Sequence, residues 1–422
     1  MSKLINFFLS RKNFIFYTLL KVLIMVLGLI TNIIIVRKLS VHDFGVYSVA
    51  FMLIGLATTF GFSWSSSSIL FFGSKEKVKY GSINKTFWAR NVIIFFSLII
   101  VSLIFIIFQS AINNYIGMDL ALLILVWLFI SVSEDFLSNY FLAIKKQIFS
   151  AMLSVTAKVL FLSTILFMSF DVKTLIIINI FSHATVLLYI LTINKKDIGK
   201  FEFDKDWFKQ VLNFSLWQLF GYSGLYLINF GDTAVIKHFM TNEDVGMYNA
   251  AYQLFTAVSG FAGVISSYYA SSISMYFTKN DTLNIKRFFH KERYIIFGLS
   301  TLAHIIVMIF SKPIIVLFYG ERYTDAVIIF NALMIGSIFR YLSVFYMLYF
   351  NTNNKHKLQQ LINIIRAVLN IGLNIILIQY FGLLGPAIAT TIAIILTTGY
   401  SAFYCEKRIK AIVCESRHEK LA

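Results

Sequence analysis

Long apolar runs separated by short basic stretches dominate this 422-residue chain. Twelve runs have the length of a spanning helix: 14–36, 44–72, 91–110, 119–143, 151–170, 174–193, 211–236, 247–274, 294–312, 325–350, 358–380 and 385–404. A helix rises about 1.5 Å per residue, so about 20 apolar residues cross a hydrocarbon core roughly 30 Å thick. Lipid offers backbone polar groups no partner, which makes helices the expected form. The run at 14–36 follows a basic start. It is longer than a signal-peptide core and lacks a clear cleavage site, so it reads as the first spanning helix.

Charge tests the count. With the N-terminus placed in the cytoplasm, 27 of the 37 Lys and Arg fall in segments on that side, 6 on the other and 4 inside spans. A missed or invented helix would mix the two sides from that point onward. Their separation to the end of the chain predicts twelve spans with both termini cytoplasmic. The connecting segments are too short to fold into domains of their own.

A pattern recurs after half the chain. RKLSVHDFGVYSVA at 37–50 resembles KHFMTNEDVGMYNAA at 237–251, pairing Gly45 with Gly246 and Tyr47 with Tyr248. The helices that follow carry SWSSSS (63–68) and ISSYYASSIS (265–274). A cationic loop then precedes an early helical cation in each half, Lys145 and Lys146 before Lys158, and Lys355 and Lys357 before Arg366. These matches predict an N-terminal six-helix lobe over 1–210 and a C-terminal one over 211–422. Six helices per half is an even number, so the repeats are parallel, an arrangement that puts a cavity between lobes. The expected fold is an all-α integral membrane protein of 12 transmembrane helices in two parallel six-helix lobes around a central cavity. For the Ser and Gly runs, close helix packing is the competing reading to substrate contact.

Composition changes little in this picture. The chain is 58% hydrophobic and 14% charged, against about 25% charged in soluble domains. Its formal net charge of +17 is explained by loop topology and gives no reason to expect nucleic acid. Cys405 and Cys414 are too few for a disulfide framework or a four-cysteine zinc site and read as free thiols in a polar tail. No metal or cofactor is expected.

Two stretches carry a family resemblance. RKLSVHDFGVYS at 37–48 is similar to a turn after the first helix, and LNIILIQYFGLLGPAIATTIA at 373–393 to a segment before the last helix, of the Wzx-type O-antigen flippases. These belong to the polysaccharide transporter family, within the multidrug/oligosaccharidyl-lipid/polysaccharide exporter superfamily. In the second stretch Asn374, Leu377, Ile378, Gly382, Gly385, Ala387, Ala389 and Thr390 match, while Gln379 and Pro386 depart from the pattern. GDTAVIKHFMTNEDVGMYNAAY at 231–252 is a third, weaker stretch, with Asp232 at a frequent aspartate. The resemblance implies a flippase in the bacterial inner membrane. Its cargo would be an oligosaccharide on undecaprenyl diphosphate, and an O-antigen polymerase and chain-length regulator its partners.

Charges within spans are the candidate chemistry, because one at the bilayer centre costs at least about 2.5–3.5 kcal/mol and tends to face a bundle interior or a wet cavity. The cations are Lys21, Lys158, Arg340 and Arg366, candidates to bind a diphosphate by charge-assisted hydrogen bonds. Lys21 and Lys158 have snorkelling as an alternative. The acids Asp232, Glu134 and Asp135 are candidates for ion coupling. Glu134 or Asp135 could instead bridge to Lys158 or Arg340, and Asp232 could anchor a helix end. His183 and His304 read as interhelical hydrogen-bond partners. No Walker A sequence is present, so transport would draw on an ion gradient, the membrane potential or consumption of cargo. A membrane enzyme such as an O-antigen polymerase, and a multidrug or cation antiporter, are the competing functions.

Overall fold

The computed structural model describes residues 12–193, 200–353 and 355–418, and among them every regular element is helical. The chain divides into two compact units, 1–226 and 227–422. The cations Lys3, Arg11, Lys195, Lys196 and Lys420, counted above in the charge asymmetry, lie outside the described residues.

Unit 1 contains α1 (Lys12–Lys38), α2 (Val41–Gly61), α3 (Ser66–Tyr80), α4 (Asn84–Ile107), α5 (Gln109–Ile116), α6 (Ala121–Ala143), α7 (Gln147–Phe167), α8 (Val172–Ile193) and the first part of α9 (Lys205–Phe239). Unit 2 contains the rest of α9, α10 (Asn242–Thr278), α11 (Thr282–Arg287), α12 (Arg293–Ile309), α13 (Ser311–Tyr319), α14 (Ala326–Thr352), α15 (His356–Phe381) and α16 (Leu384–His418). A π-helical turn, Phe288–Glu292, joins α11 to α12.

Ten described helical segments are long and apolar enough to cross a membrane. The seventh and eighth predicted spans correspond to α9 and α10. These have 35 and 37 residues, and at about 1.5 Å per residue they are longer than a bilayer requires. Exposed apolar side chains such as Phe95, Phe96 and Ile107 on α4 cover surfaces that lipid solvates.

The repeated sequence has a local cause. Ser40 caps α2, its hydroxyl accepting from the Asp43 backbone N–H at 3.0 Å. Thr241 caps α10 in the same way, with Asp244 closing a capping box by accepting from the Thr241 backbone N–H at 3.0 Å. Each half therefore starts its second span with a hydroxyl residue and an aspartate three positions later. At the end of α1, Lys38 Nζ donates to the carbonyls of Ile165 (2.6 Å), Leu166 (3.1 Å) and Met168 (3.0 Å) at the end of α7. It thereby satisfies helix-terminal acceptors that have no intrahelical donor.

Three sequence expectations need correction. The predicted span 44–72 is broken: α2 stops at Gly61, Ser63–Ser65 form a 3-10 turn, and α3 begins at Ser66. Trp64 Nε1 donates to the Gly61 carbonyl (3.1 Å) and Ser65 Oγ to that of Phe62 (3.0 Å), so side chains replace the lost helical bonds. Arg90 and Arg293, counted above as loop cations, lie inside helices at 2% and 0% exposure. Cys405 is in no polar tail, because α16 continues to His418 and buries it against the aromatic cluster of Phe288, Phe289, Phe345, Tyr346, Tyr349 and Phe350.

The FGLLG turn between α15 and α16 shows why glycine stands there. Gly382 has a positive φ of 54°, and a Cβ on Gly385 would lie 2.5 Å from the Leu377 backbone carbonyl. The two helices meet backbone to backbone at this point.

Candidate functional site

Unit 2 holds a pocket lined by Ile228 of α9, Tyr252 and Phe255 of α10, Arg340 of α14, Arg366 and Asn370 of α15, and Thr390, Ala393 and Ile394 of α16. Two of the four predicted cations, Arg340 and Arg366, thus meet in one cavity and act on each other electrostatically. Arg340 donates weakly to Ser259 Oγ at 3.4 Å, and Arg366 Nε is buried with no partner. Among the described residues no carboxylate bonds to either guanidinium, so the pair presents spare donors of the kind that suit an anion.

Asp232 adjoins this pocket, buried to 4% exposure. Its Oδ1 accepts from Asn374 Nδ2 at 2.7 Å, and its Oδ2 from Thr390 Oγ1 at 2.7 Å and from the Tyr248 hydroxyl. Asn370 donates to Thr390 Oγ1 at 2.8 Å. Asn370 and Thr390 also line the pocket, so two hydrogen bonds connect the Asp232 carboxylate to the wall of the arginine site. Asn374 Oδ1 is buried without a partner. One carboxylate among neutral amide and hydroxyl oxygens suits a proton or a hard monovalent cation, and lacks the His and Cys ligands of zinc. Among the described residues no group of three or more His, Cys, Asp or Glu gathers as a metal site.

The other candidates belong to unit 1. Lys21 is exposed, its Nζ 5.5 Å from the Tyr17 ring centre. Lys158 is half-buried against α1, where a Cβ on Gly28 would lie 3.6 Å from its Nζ. Glu134 is 6% exposed and bonds neither Lys158 nor Arg340; its partner is His183 on α8, which closes an interhelical pair. Trp127 sets its ring edge-on to that histidine at 6.3 Å and donates to Asn179 Oδ1 at 3.0 Å. Asp135 is exposed and accepts from Asn139 Nδ2 at 2.9 Å. His304 links α12 to α14 through Ser337 Oγ at 2.9 Å.

Sequence reasoning missed Asn370, Asn374, Tyr248 and Thr390 as site residues, although all but Asn370 lie in the quoted family stretches. It also missed the fully buried Arg293. That residue pairs with Glu406 of α16, whose Oε1 additionally accepts from the Tyr346 hydroxyl at 3.2 Å.

Ten long apolar helices among the described residues, with a charged pocket among the helices of unit 2, define a multi-pass membrane protein. The chain belongs to the polysaccharide biosynthesis protein family, whose model matches residues 10–269, more than half of its length. It is 26% identical over 196 residues to the probable low-salt glycan biosynthesis flippase Agl15 of Haloferax volcanii. That match covers 46% of this chain and 42% of the relative, so it spans less than half the length of the curated relative. The fold is that of a solved lipid II flippase MurJ in an inward closed conformation, with a TM-score of 0.76 and 18% identity over 95% of this chain and 90% of that one. An inward-facing multidrug resistance MATE family transporter of the MOP superfamily is similar at a TM-score of 0.67, with 16% identity over 92% and 95% of the two chains. All three comparisons agree with the Wzx-type resemblance read from the motifs.

Proposed function

We propose that this protein is a flippase that carries an oligosaccharide linked to undecaprenyl diphosphate from the cytoplasmic to the periplasmic leaflet of a bacterial inner membrane, by alternating access. The observation that carries this reading is the Arg340–Arg366 pocket, whose unpartnered donors suit a diphosphate that a lipid-linked sugar would bring into the membrane. The named relative is a glycan flippase, which supports the same class of cargo. An O-antigen polymerase and a chain-length regulator would act on the product. Lys21 and Lys158 are further candidates to meet the head group, and Asp232, with Glu134 and Asp135 as further candidates, would couple transport to an ion gradient. The bonds from Asp232 through Thr390 to Asn370 support that coupling role, because they give its ionisation a short path to the arginine pocket.

A multidrug or cation antiporter is the second reading. Two guanidinium groups in the pocket disfavour it, since a cationic drug would meet like charge there. The test is chemical analysis of surface polysaccharide and accumulated lipid-linked oligosaccharide in cells expressing Arg340→Ala, Arg366→Ala or the double variant at normal protein level. The expected outcome is loss of surface polysaccharide with accumulation of the lipid-linked precursor. Normal polysaccharide in the double variant overturns the reading.

A further inference from the structure

A second charged feature lies in unit 1, at the break between α2 and α3. The first residue of α3 is Ser66, and its Oγ accepts from Arg90 at 2.8 Å. Arg90 is 2% exposed, and its Nε and Nη1 are buried with no partner. Phe136 covers one face of the guanidinium, with Cζ 5.1 Å from the ring centre. Ser67 Oγ, one residue into α3, is also buried and unpartnered. Ser63, Ser66 and Ser67 are half-buried.

Electrostatics make the arrangement unfavourable as it stands. A helix start carries the equivalent of about half a positive charge, and a cation beside it is the wrong sign. Among the described residues no side chain caps α3 and no acid occupies its first turn; the Ser66 backbone N–H donates to the Ser63 carbonyl of the preceding 3-10 turn. Asp135 acts on Arg90 electrostatically, yet among the described residues no ion pair holds the guanidinium. Two neighbouring features show how the same chain treats comparable positions. The start of α4 receives the buried Glu76 carboxylate, which accepts from the backbone N–H groups of Lys85 (2.9 Å) and Thr86 (2.8 Å) and from Thr86 Oγ1 (2.7 Å). The other fully buried arginine, Arg293, lies near the start of the third span of the second half and has the Glu406 carboxylate. An internal anion is thus supplied at both of those positions. The α3 start with Arg90 has the two positive elements, and Asp135 acts on Arg90 without forming an ion pair.

We propose that the α2–α3 break is a second anion site, in which Arg90, Ser66, Ser67 and the α3 N-terminus bind a phosphate-type oxyanion. The inference rests on the flippase reading for the source of that oxyanion, the diphosphate of the cargo on its way through unit 1. The site takes the charge that Glu76 and Glu406 supply elsewhere.

The test uses the purified full-length protein in detergent and inorganic pyrophosphate as the probe, with binding measured by calorimetry and by the thermal unfolding midpoint. Wild type is expected to bind pyrophosphate with a component that weakens tenfold or more in Arg90→Gln, weakens less in Arg90→Lys, and falls with added salt. Should Arg90→Gln fail to fold, Ser66→Cys in a Cys414→Ser background gives a second readout: pyrophosphate should slow its modification by a small thiosulfonate several-fold. Unchanged binding in a folded Arg90→Gln, or no protection of Ser66→Cys, overturns the proposal. Arg366→Gln separates the two readings. Binding lost in Arg366→Gln and intact in Arg90→Gln leaves the flippase pocket standing and removes this site. The reverse pattern supports this site and counts against the arginine pocket, and insensitivity of both removes both.

Discussion

The two halves begin alike and then diverge. Each opens its second span with a hydroxyl cap and an aspartate, Ser40 with Asp43 and Thr241 with Asp244. In the first half that span breaks after 21 residues, at a serine-rich turn, while in the second it runs unbroken for 37. Each half also buries one arginine early in its third span. Arg293 is neutralised by Glu406 within a packed aromatic cluster, whereas Arg90 donates to a serine hydroxyl beside a ring face and feels Asp135 without an ion pair. The repeated sequence thus keeps comparable positions while their chemistry parts. The second half closes its charge internally at that level and keeps its open cations at Arg340 and Arg366. The first half leaves its arginine with free donors beside a helix start.

The most severe way to break this contrast is to remove the internal counter-ion. Glu406→Gln strands the Arg293 charge in a dry cluster and should destabilise the protein by about 3–5 kcal/mol. Asp135→Asn in the first half, at an exposed carboxylate, should cost about 1 kcal/mol or less. Thermal unfolding in detergent checks both, and equal losses would show that the two arginines are held alike. Next in size is Gly385→Ala, which forces a Cβ to 2.5 Å from the Leu377 carbonyl and should cost upward of about 1–3 kcal/mol. Gly399→Ala, with open space around its Cβ position, should be neutral or slightly stabilising. A smaller effect sharpens the comparison from the other side. Ser66→Asp gives Arg90 the carboxylate that Arg293 already has, and should stabilise the protein by about 1 kcal/mol while abolishing the pyrophosphate component.

The smallest effect concerns pH. Asp204, outside the apolar spans, accepts from the Trp207 backbone N–H at 3.1 Å and from Lys85 Nζ at 3.0 Å. These bonds, the Trp207 N–H foremost, hold its carboxyl below the ordinary carboxylate range. Because the folded-state value is the lower one, their stabilisation is present at neutral pH. It is lost as pH falls below about 4 toward that depressed value. The protection factor of the Trp207 amide should drop over that fall in wild type and show no such step in Asp204→Asn.

Much of the fold was legible because spanning helices are long sums of apolar residues, and a sum tolerates local errors. The break at Phe62–Ser65 escaped for the same reason. Trp64 and the serines around it stay within what an apolar window accepts, and they satisfy the interrupted backbone themselves. Arg90 was assigned to a loop because the start of its helix is fixed by Glu76, eight positions before Asn84 and on another helix, where no local signal marks it. The arginine pocket was half legible. Depth within the membrane selected Arg340 and Arg366, whereas their proximity depends on how α14 and α15 pack. The shell of Asp232 was present in the family stretches through Tyr248, Asn374 and Thr390, matched there without an assigned role. The polar residues that fasten α9 to α15 and α16 do so by bonding that carboxylate.

The tether from Lys38 to the end of α7 bears on how the chain is made. Its nearest acceptor lies 127 residues further along. At about 5–20 residues per second the ribosome needs roughly 6–25 s to deliver that stretch. For that interval the first helix stands in the membrane without the neighbour it packs on, showing a cation and a largely apolar flank to whatever surrounds it. Biogenesis of this protein therefore has a built-in waiting period, in which insertion machinery that shelters early helices would raise the yield of folded chains.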